Sequence, residues 1–210
     1  MKTRIALTFF LSLLTYIAPL YAQWNVLPEA YFTVVKRNDF GDSWNVATKV
    51  GVSLTYQSVS PWGMKSGLYY AFRGYDLGKD FGETEYPPQH NIPNAENKIT
   101  RHFLQIPLEA TYAIDLRSNR QLQFGAGPYI GVSLKDKWKG GYYFGTKESV
   151  FSDLQPFDWG VSAFSTLKLN KWDITLGYDL SLGKETKGTH VSANYHSISL
   201  GIGYRFSLTK

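Results

Sequence analysis

The 210-residue sequence contains no cysteine. Disulfide staples and thiolate chemistry are therefore excluded, and so is a lipid anchor on a mature N-terminal cysteine. After residue 22 the chain also lacks any long apolar run. A membrane-spanning helix needs about 20 consecutive apolar residues, so a helical membrane protein is excluded. Charge of one sign never accumulates either. The formal net charge is +5, or about +3 without Lys2 and Arg4. No Lys/Arg block of the kind that meets nucleic acid is present, and nucleic acid is not expected as a partner. Gly125-x-Gly127 is not a nucleotide loop, because Pro128 and an alternating pattern run straight through it. His90, His102 and His196 are scattered without metal-ligand spacing, and Glu83 with Glu85 reads as a solvated pair. No metal and no cofactor are expected.

What is present begins with a leader. Met1-Lys2-Thr3-Arg4 is basic, Ile5 to Ile17 is apolar apart from Thr and Ser, and Ala18-Pro19-Leu20-Tyr21-Ala22 ends on a small residue. This predicts a cleavable secretory signal over 1–22 and one domain over 23–210; the competing reading, an N-terminal membrane anchor, is disfavoured because the run is too short to span a bilayer well as a helix. An exported domain without disulfides needs another source of rigidity, and a closed hydrogen-bonded barrel supplies it.

Aromatics and glycine are plentiful, with 15 Tyr, 13 Phe, 6 Trp and 19 Gly. The mean hydropathy is nevertheless slightly negative, at −0.25. Short alternating segments account for both facts. From Gln121 to Leu134, Leu122, Phe124, Ala126, Pro128, Ile130, Val132 and Leu134 share one face of a strand; Gln, Gly, Tyr and Ser share the other. Ile198 to Leu208 and Trp172 to Leu182 repeat the pattern. So, less cleanly, do segments around Leu104–Ile114, Trp159–Leu169, Val46–Tyr56 and Met64–Phe72; Ala30–Val34 is the weakest. Eight strands are predicted.

The connections alternate in length. Asn38 to Trp44 precedes a tight turn at Ser58–Gly63. A long loop from about Tyr75 to Thr100 precedes a short turn at Arg117–Arg120. A loop from about Lys135 to Pro156 precedes a turn at Asn170-Lys171, and the last loop runs from about Lys184 to Tyr195. Up-and-down membrane barrels have short periplasmic turns and longer extracellular loops, so both termini are expected in the periplasm.

In a soluble barrel such as a lipocalin the apolar face points inward; in a membrane barrel it points outward. Three features favour the membrane. The polar faces are rich in Gly and Ser yet carry charges of both signs: Glu29, Lys49, Lys65, Arg73, Glu109, Asp158, Lys168, Asp173, Asp179 and Arg205. Trp44, Trp62, Trp159, Trp172, Tyr204 and Phe206 sit at strand ends, as in interfacial girdles. The closing Gly203-Tyr204-Arg205-Phe206 is similar to the terminal signal read by barrel assembly machinery, an expected partner. The interior of an eight-stranded barrel holds only its own side chains. The inward charges are therefore expected to pair with one another, which disfavours a wide pore.

Phe103-Leu104-Gln105-Ile106-Pro107-Leu108, Gly125-Ala126-Gly127-Pro128-Tyr129, Asp158-Trp159-Gly160 and Ile198 to Phe206 occur in this order. Together they resemble the PorT-like outer membrane protein β-barrel family, common in the Bacteroidota. The first strand departs, with Tyr31 and Phe32 where the family often has Gly. The resemblance implies an all-β, eight-stranded transmembrane barrel in the bacterial outer membrane. It also implies that some relatives take part in type IX protein secretion, without assigning one role.

Function is therefore sought in the loops. Lys137, Trp138, Lys139, Tyr142, Tyr143 and Phe144, beside Lys135, form a candidate interaction loop for sugar, lipopolysaccharide phosphate or envelope and secretion proteins. The competing reading is that these aromatics extend the barrel wall above the membrane. One enzymatic pattern is present. His190-Val191-Ser192 resembles the His-x-Ser pair of outer-membrane lipid A deacylases, but no Asp or Glu follows Ser192 to orient the base. The expectation is a non-enzymatic outer-membrane barrel, with a lipid A deacylase-like hydrolase or a small channel as alternatives.

Overall fold

The computed structural model describes residues 23–37, 44–76, 98–116, 120–139, 155–183 and 195–208. They form eight antiparallel strands: β1 (Gln23–Arg37), β2 (Asn45–Gln57), β3 (Trp62–Asp76), β4 (Lys98–Leu116), β5 (Arg120–Lys139), β6 (Phe157–Leu169), β7 (Trp172–Ser181) and β8 (Tyr195–Tyr204). Each pairs with the next in sequence. β1 also pairs with β8, from Glu29 opposite Gly203 to Arg37 opposite Tyr195, so the sheet closes on itself. Phe206–Ser207 continues β8 against Asn25 and Val26. The fold is a closed eight-stranded antiparallel β-barrel. Closure leaves no free sheet edge, so the wall's backbone groups are satisfied within it, as a lipid environment demands.

The alternation read from the sequence holds in every strand. Val46, Met64, Leu108, Ile130, Leu176 and Leu200 point outward and are about half exposed, whereas Glu29, Lys65, Gln105, Asp158, Asp173 and Ser199 point inward and are buried. The outer face is predominantly apolar along the wall. This is the inverse of a soluble barrel and is the arrangement that lipid requires. At the short-turn end the wall carries a girdle of aromatic pairs: Trp24–Tyr56 at 5.0 Å, Trp62–Tyr112 at 5.0 Å and Trp172–Tyr204 at 5.1 Å between ring centroids. Trp44 and Trp159 lie at the other end, exposed.

Four large inward rings fit this narrow bore because each lies on a glycine directly across the ladder. Tyr31 faces Gly201, Tyr69 faces Gly51, Tyr129 faces Gly160 and Phe164 faces Gly125. A Cβ added at any of these glycines would collide with the facing ring or its backbone. The glycines are seats for aromatics, a use of Gly in strands that close approach explains.

Turn chemistry is equally local. Between β6 and β7 the two-residue turn Asn170-Lys171 places Asn170 at φ 52°, a left-handed conformation that asparagine tolerates and tight hairpins favour. One irregularity breaks the β4–β5 ladder. His102 pairs with Lys135 while Phe103 pairs with Ser133, so Leu134 is an extra residue. This bulge corrects a boundary expected from the sequence. Lys135 to Lys139 is strand, not loop, and continues the ladder to Lys98 opposite Lys139. Likewise Tyr75 and Asp76 pair with Ile99 and Lys98. β4 and β5 reach 19 and 20 residues against 10 in β7 and β8. A strand needs only about 9–11 residues to cross a membrane, so the β4–β5 side of the wall stands proud of the bilayer by several residues.

Candidate functional site

The barrel's interior is a sequence of polar clusters stacked along the axis. Near the centre, the Glu29 carboxylate accepts from Lys65 Nζ at 2.8 Å, from the Tyr31 hydroxyl at 2.9 Å and from the Tyr69 hydroxyl at 2.5 Å. A second cluster repeats the design on other strands. Asp158 accepts from Arg73 Nη1 at 2.9 Å, from the Tyr129 hydroxyl at 3.2 Å and from the Ser181 hydroxyl at 2.5 Å. Arg73 also donates to Gln105 Oε1 at 3.4 Å. In both, one carboxylate is surrounded by one cation and two hydroxyls, so its charge is matched and its lone pairs are used.

Several of these bonds cross the bore rather than follow the wall. Arg73 on β3 meets Asp158 on β6, and Lys49 on β2 meets Asp179 on β7 at 3.1 Å. Neither pair of strands is adjacent in the sheet. Lys49 Nζ also lies 5.0 Å from the Tyr31 ring centre and 5.5 Å from that of Tyr69. Between the clusters remains a cavity of about 30 Å³ bordered by Tyr31, Lys49, Lys65, Tyr69, Glu109 and Asp179. That is space for one or two water molecules and for no solute. Towards the long-loop end, Arg101 donates to Asp136 at 3.0 Å and to the Gln155 carbonyl at 2.7 Å. The Phe103 ring lies within 4.9 Å of the Arg73 guanidinium and 4.7 Å of that of Arg101. At the short-turn end Arg205 is ion-paired with Asp173.

The expected mutual pairing of inward charges is thus met by Glu29, Lys49, Lys65, Arg73, Asp158, Asp173, Asp179 and Arg205. Glu109 and Lys168 differ. Among the described residues Glu109 meets no cation at ion-pair distance and accepts from the Ser162 hydroxyl at 2.7 Å. Lys168 donates to a neutral amide, Gln121 Oε1, at 2.9 Å.

The candidate interaction residues are divided by the fold. The backbones of Lys137, Trp138 and Lys139 lie on β5, opposite Thr100, Ile99 and Lys98. Tyr142, Tyr143 and Phe144 lie outside the described residues, as do Glu83, Glu85, His90, His190 and Ser192. Two histidines are placed. His102 and His196 sit on the outer, lipid-facing side of β4 and β8, each hydrogen-bonded through Nδ1 to a tyrosine hydroxyl, Tyr70 and Tyr178 respectively. They belong to the wall. Arg101, Asp136 and Phe164 are interior groups that the sequence reading left unassigned. The bulge at Leu134 inverts the alternation and hides Asp136, and Phe164 shows its role only through Gly125 opposite.

A family model described as an outer membrane protein beta-barrel domain matches residues 15–187. The chain belongs to this family. Its place is therefore the outer membrane, with the apolar wall in lipid. No curated protein matches the sequence. Solved structures resemble it along most of its length at low identity. Neisserial surface protein A is 12% identical, with 89% of this chain and 100% of that chain covered and a TM-score of 0.49. Ail, the attachment invasion locus protein of Yersinia pestis, is 14% identical, with 89% and 100% covered and a TM-score of 0.46. The outer membrane enzyme PagL is 9% identical, with 84% and 98% covered and a TM-score of 0.48.

Proposed function

We propose that this family member is a non-enzymatic integral outer-membrane protein that acts through the connections at its long-strand end, in envelope structure, surface interaction or secretion support. The observation behind this reading is the interior. Ion pairs between non-adjacent strands, Arg73–Asp158 and Lys49–Asp179, fill the bore that a channel would need open. In this reading the short turns and both termini face the periplasm, and the β4–β5 extension carries Lys137, Trp138 and Lys139 above the lipid towards lipopolysaccharide and envelope partners. Residues 1–22 are the export signal. The PorT-like pattern of strand motifs is the ground for including secretion support among these roles, and it singles out none of them.

Orientation is testable cleanly because the chain has no cysteine. Gly141→Cys is expected to react with a membrane-impermeant maleimide on whole cells and Ser60→Cys only after lysis; the reverse result overturns the orientation. Cross-linking from Gly141→Cys in intact cells is expected to capture envelope or secretion proteins. An altered lipid A acyl pattern that disappears with Ser192→Ala would replace the non-enzymatic reading with the hydrolase. Discrete single-channel conductance in planar bilayers would replace it with the channel.

A further inference from the structure

The pairing that fills the barrel is incomplete at its short-turn mouth. A cavity of about 340 Å³ opens there, lined by Gln23, Asp115, Arg120, Gln121, Lys168 and Arg205, among others. Arg205 is committed to Asp173. Lys168 is committed to no charge. It is only 8% exposed, and its ammonium donates to Gln121 Oε1 at 2.9 Å. The same amide's Nε2 donates to Asp115 at 2.8 Å. Gln121 therefore stands between the lysine and the carboxylate lining the cavity. The other deeply buried lumenal cations, Lys65, Arg73 and Arg101, each meet a carboxylate. An ammonium has three donors; Asp173 lies across the β6–β7 ladder from Lys168 but not at ion-pair distance, so a single neutral acceptor leaves donors of a buried ammonium unused. At the rim Arg120 has no carboxylate at ion-pair distance among the described residues, and it adds a second cation that can reach an incoming group.

We propose that this mouth is a binding site for a small organic dianion, with one carboxylate or phosphate group on Lys168 and the other on Arg120. Three considerations fix the class. With Arg205 matched by Asp173, Lys168 and Arg120 are the two lining cations that meet no carboxylate at ion-pair distance among the described residues, beside the single lining carboxylate Asp115. The volume lies within the range of small-molecule clefts, roughly 300–1,000 Å³, and exceeds what one carboxylate fills. Lys168 and Gln121 project into the bore, so the ligand arrives from water and not from the bilayer. The site is independent of which side of the membrane the short turns face.

The test uses the full mature chain refolded in neutral detergent micelles, titrated at constant ionic strength with citrate, with pyrophosphate and with chloride as control. Heat of binding and melting temperature are read together. Saturable one-site binding with a rise in melting temperature is expected for citrate, pyrophosphate or both; citrate alone assigns the carboxylate class and pyrophosphate alone the phosphate class. Lys168→Met is expected to weaken binding at least about tenfold while its melting temperature without anion stays level or rises, because the substitution removes a buried charge that no carboxylate meets at ion-pair distance. Arg120→Gln is expected to weaken binding by a smaller factor. Absence of saturable binding with both anions, or equal affinity in Lys168→Met and the unsubstituted protein, would overturn the proposal.

Discussion

The centre of the bore and its short-turn mouth solve the same problem in opposite ways. At the centre, Glu29 and Asp158 each receive one cation and two hydroxyls, and in each case the cation comes from β3, a strand not paired with the carboxylate's own. At the mouth, Lys168 receives one neutral oxygen and faces open space. The difference separates a plug of closed ion pairs from an open, cation-lined mouth. Closed clusters tie the wall together from inside and resist change, since removing one partner strands the others in a low-dielectric interior. At the mouth, Lys168 carries its charge at a cost and receives a single neutral hydrogen-bond acceptor in return.

The contrast is broken most severely at Glu29. Glu29→Ala strands Lys65 and two tyrosine hydroxyls, and a loss of about 3–5 kcal/mol is expected in urea unfolding of the refolded barrel. Replacing both Glu29 and Lys65 by Met is expected to recover most of that loss, and failure to do so would mean the cluster's hydroxyls matter more than its charges. Asp158→Asn keeps the shape and one acceptor but removes the charge facing Arg73, with an expected cost of about 1.5–3 kcal/mol by the same assay. Gly201→Val leaves all charges in place yet pushes the Tyr31 ring from its seat, and about 1–3 kcal/mol of destabilisation should follow. Lys168→Met completes the series at the mouth, with a change within about 0.5 kcal/mol or a gain. A loss at Lys168 equal to that at Glu29 would erase the distinction between the two regions.

Much of this was legible in the sequence, for a physical reason. A wall one residue thick between lipid and a polar bore forces strict alternation, and strict alternation can be read directly. The inward charges, the tight turn at Asn170-Lys171 and the apolar outer face all follow from it. Legibility failed where one residue changed the phase or where both faces were apolar. Leu134 shifts β5 by one place, so Lys135 to Lys139 looked like loop. β1 looked short because Tyr31 and Val35 point inward while Phe32 points outward. The mouth was invisible, because Lys168, Gln121 and Arg120 are unremarkable singly and meet only through the register between β5 and β6. Partner choice in the lumen, such as Arg73 with Asp158 across three strand steps, is set by the diameter of the closed wall and not by any spacing along the chain.

The seam between β1 and β8 has a consequence in time. The first strand's second partner is made last, after every intervening strand, so its ladder from Glu29 to Arg37 must wait for Tyr195 to Gly203. Until then two unsatisfied edges exist together, each a template for pairing with another chain. Closing so long a loop of chain is slow, and the half-built sheet is prone to aggregate meanwhile. The same seam that makes the finished wall edgeless is therefore the last part of it to form, and the rungs of Phe206 and Ser207 against Val26 and Asn25 extend it.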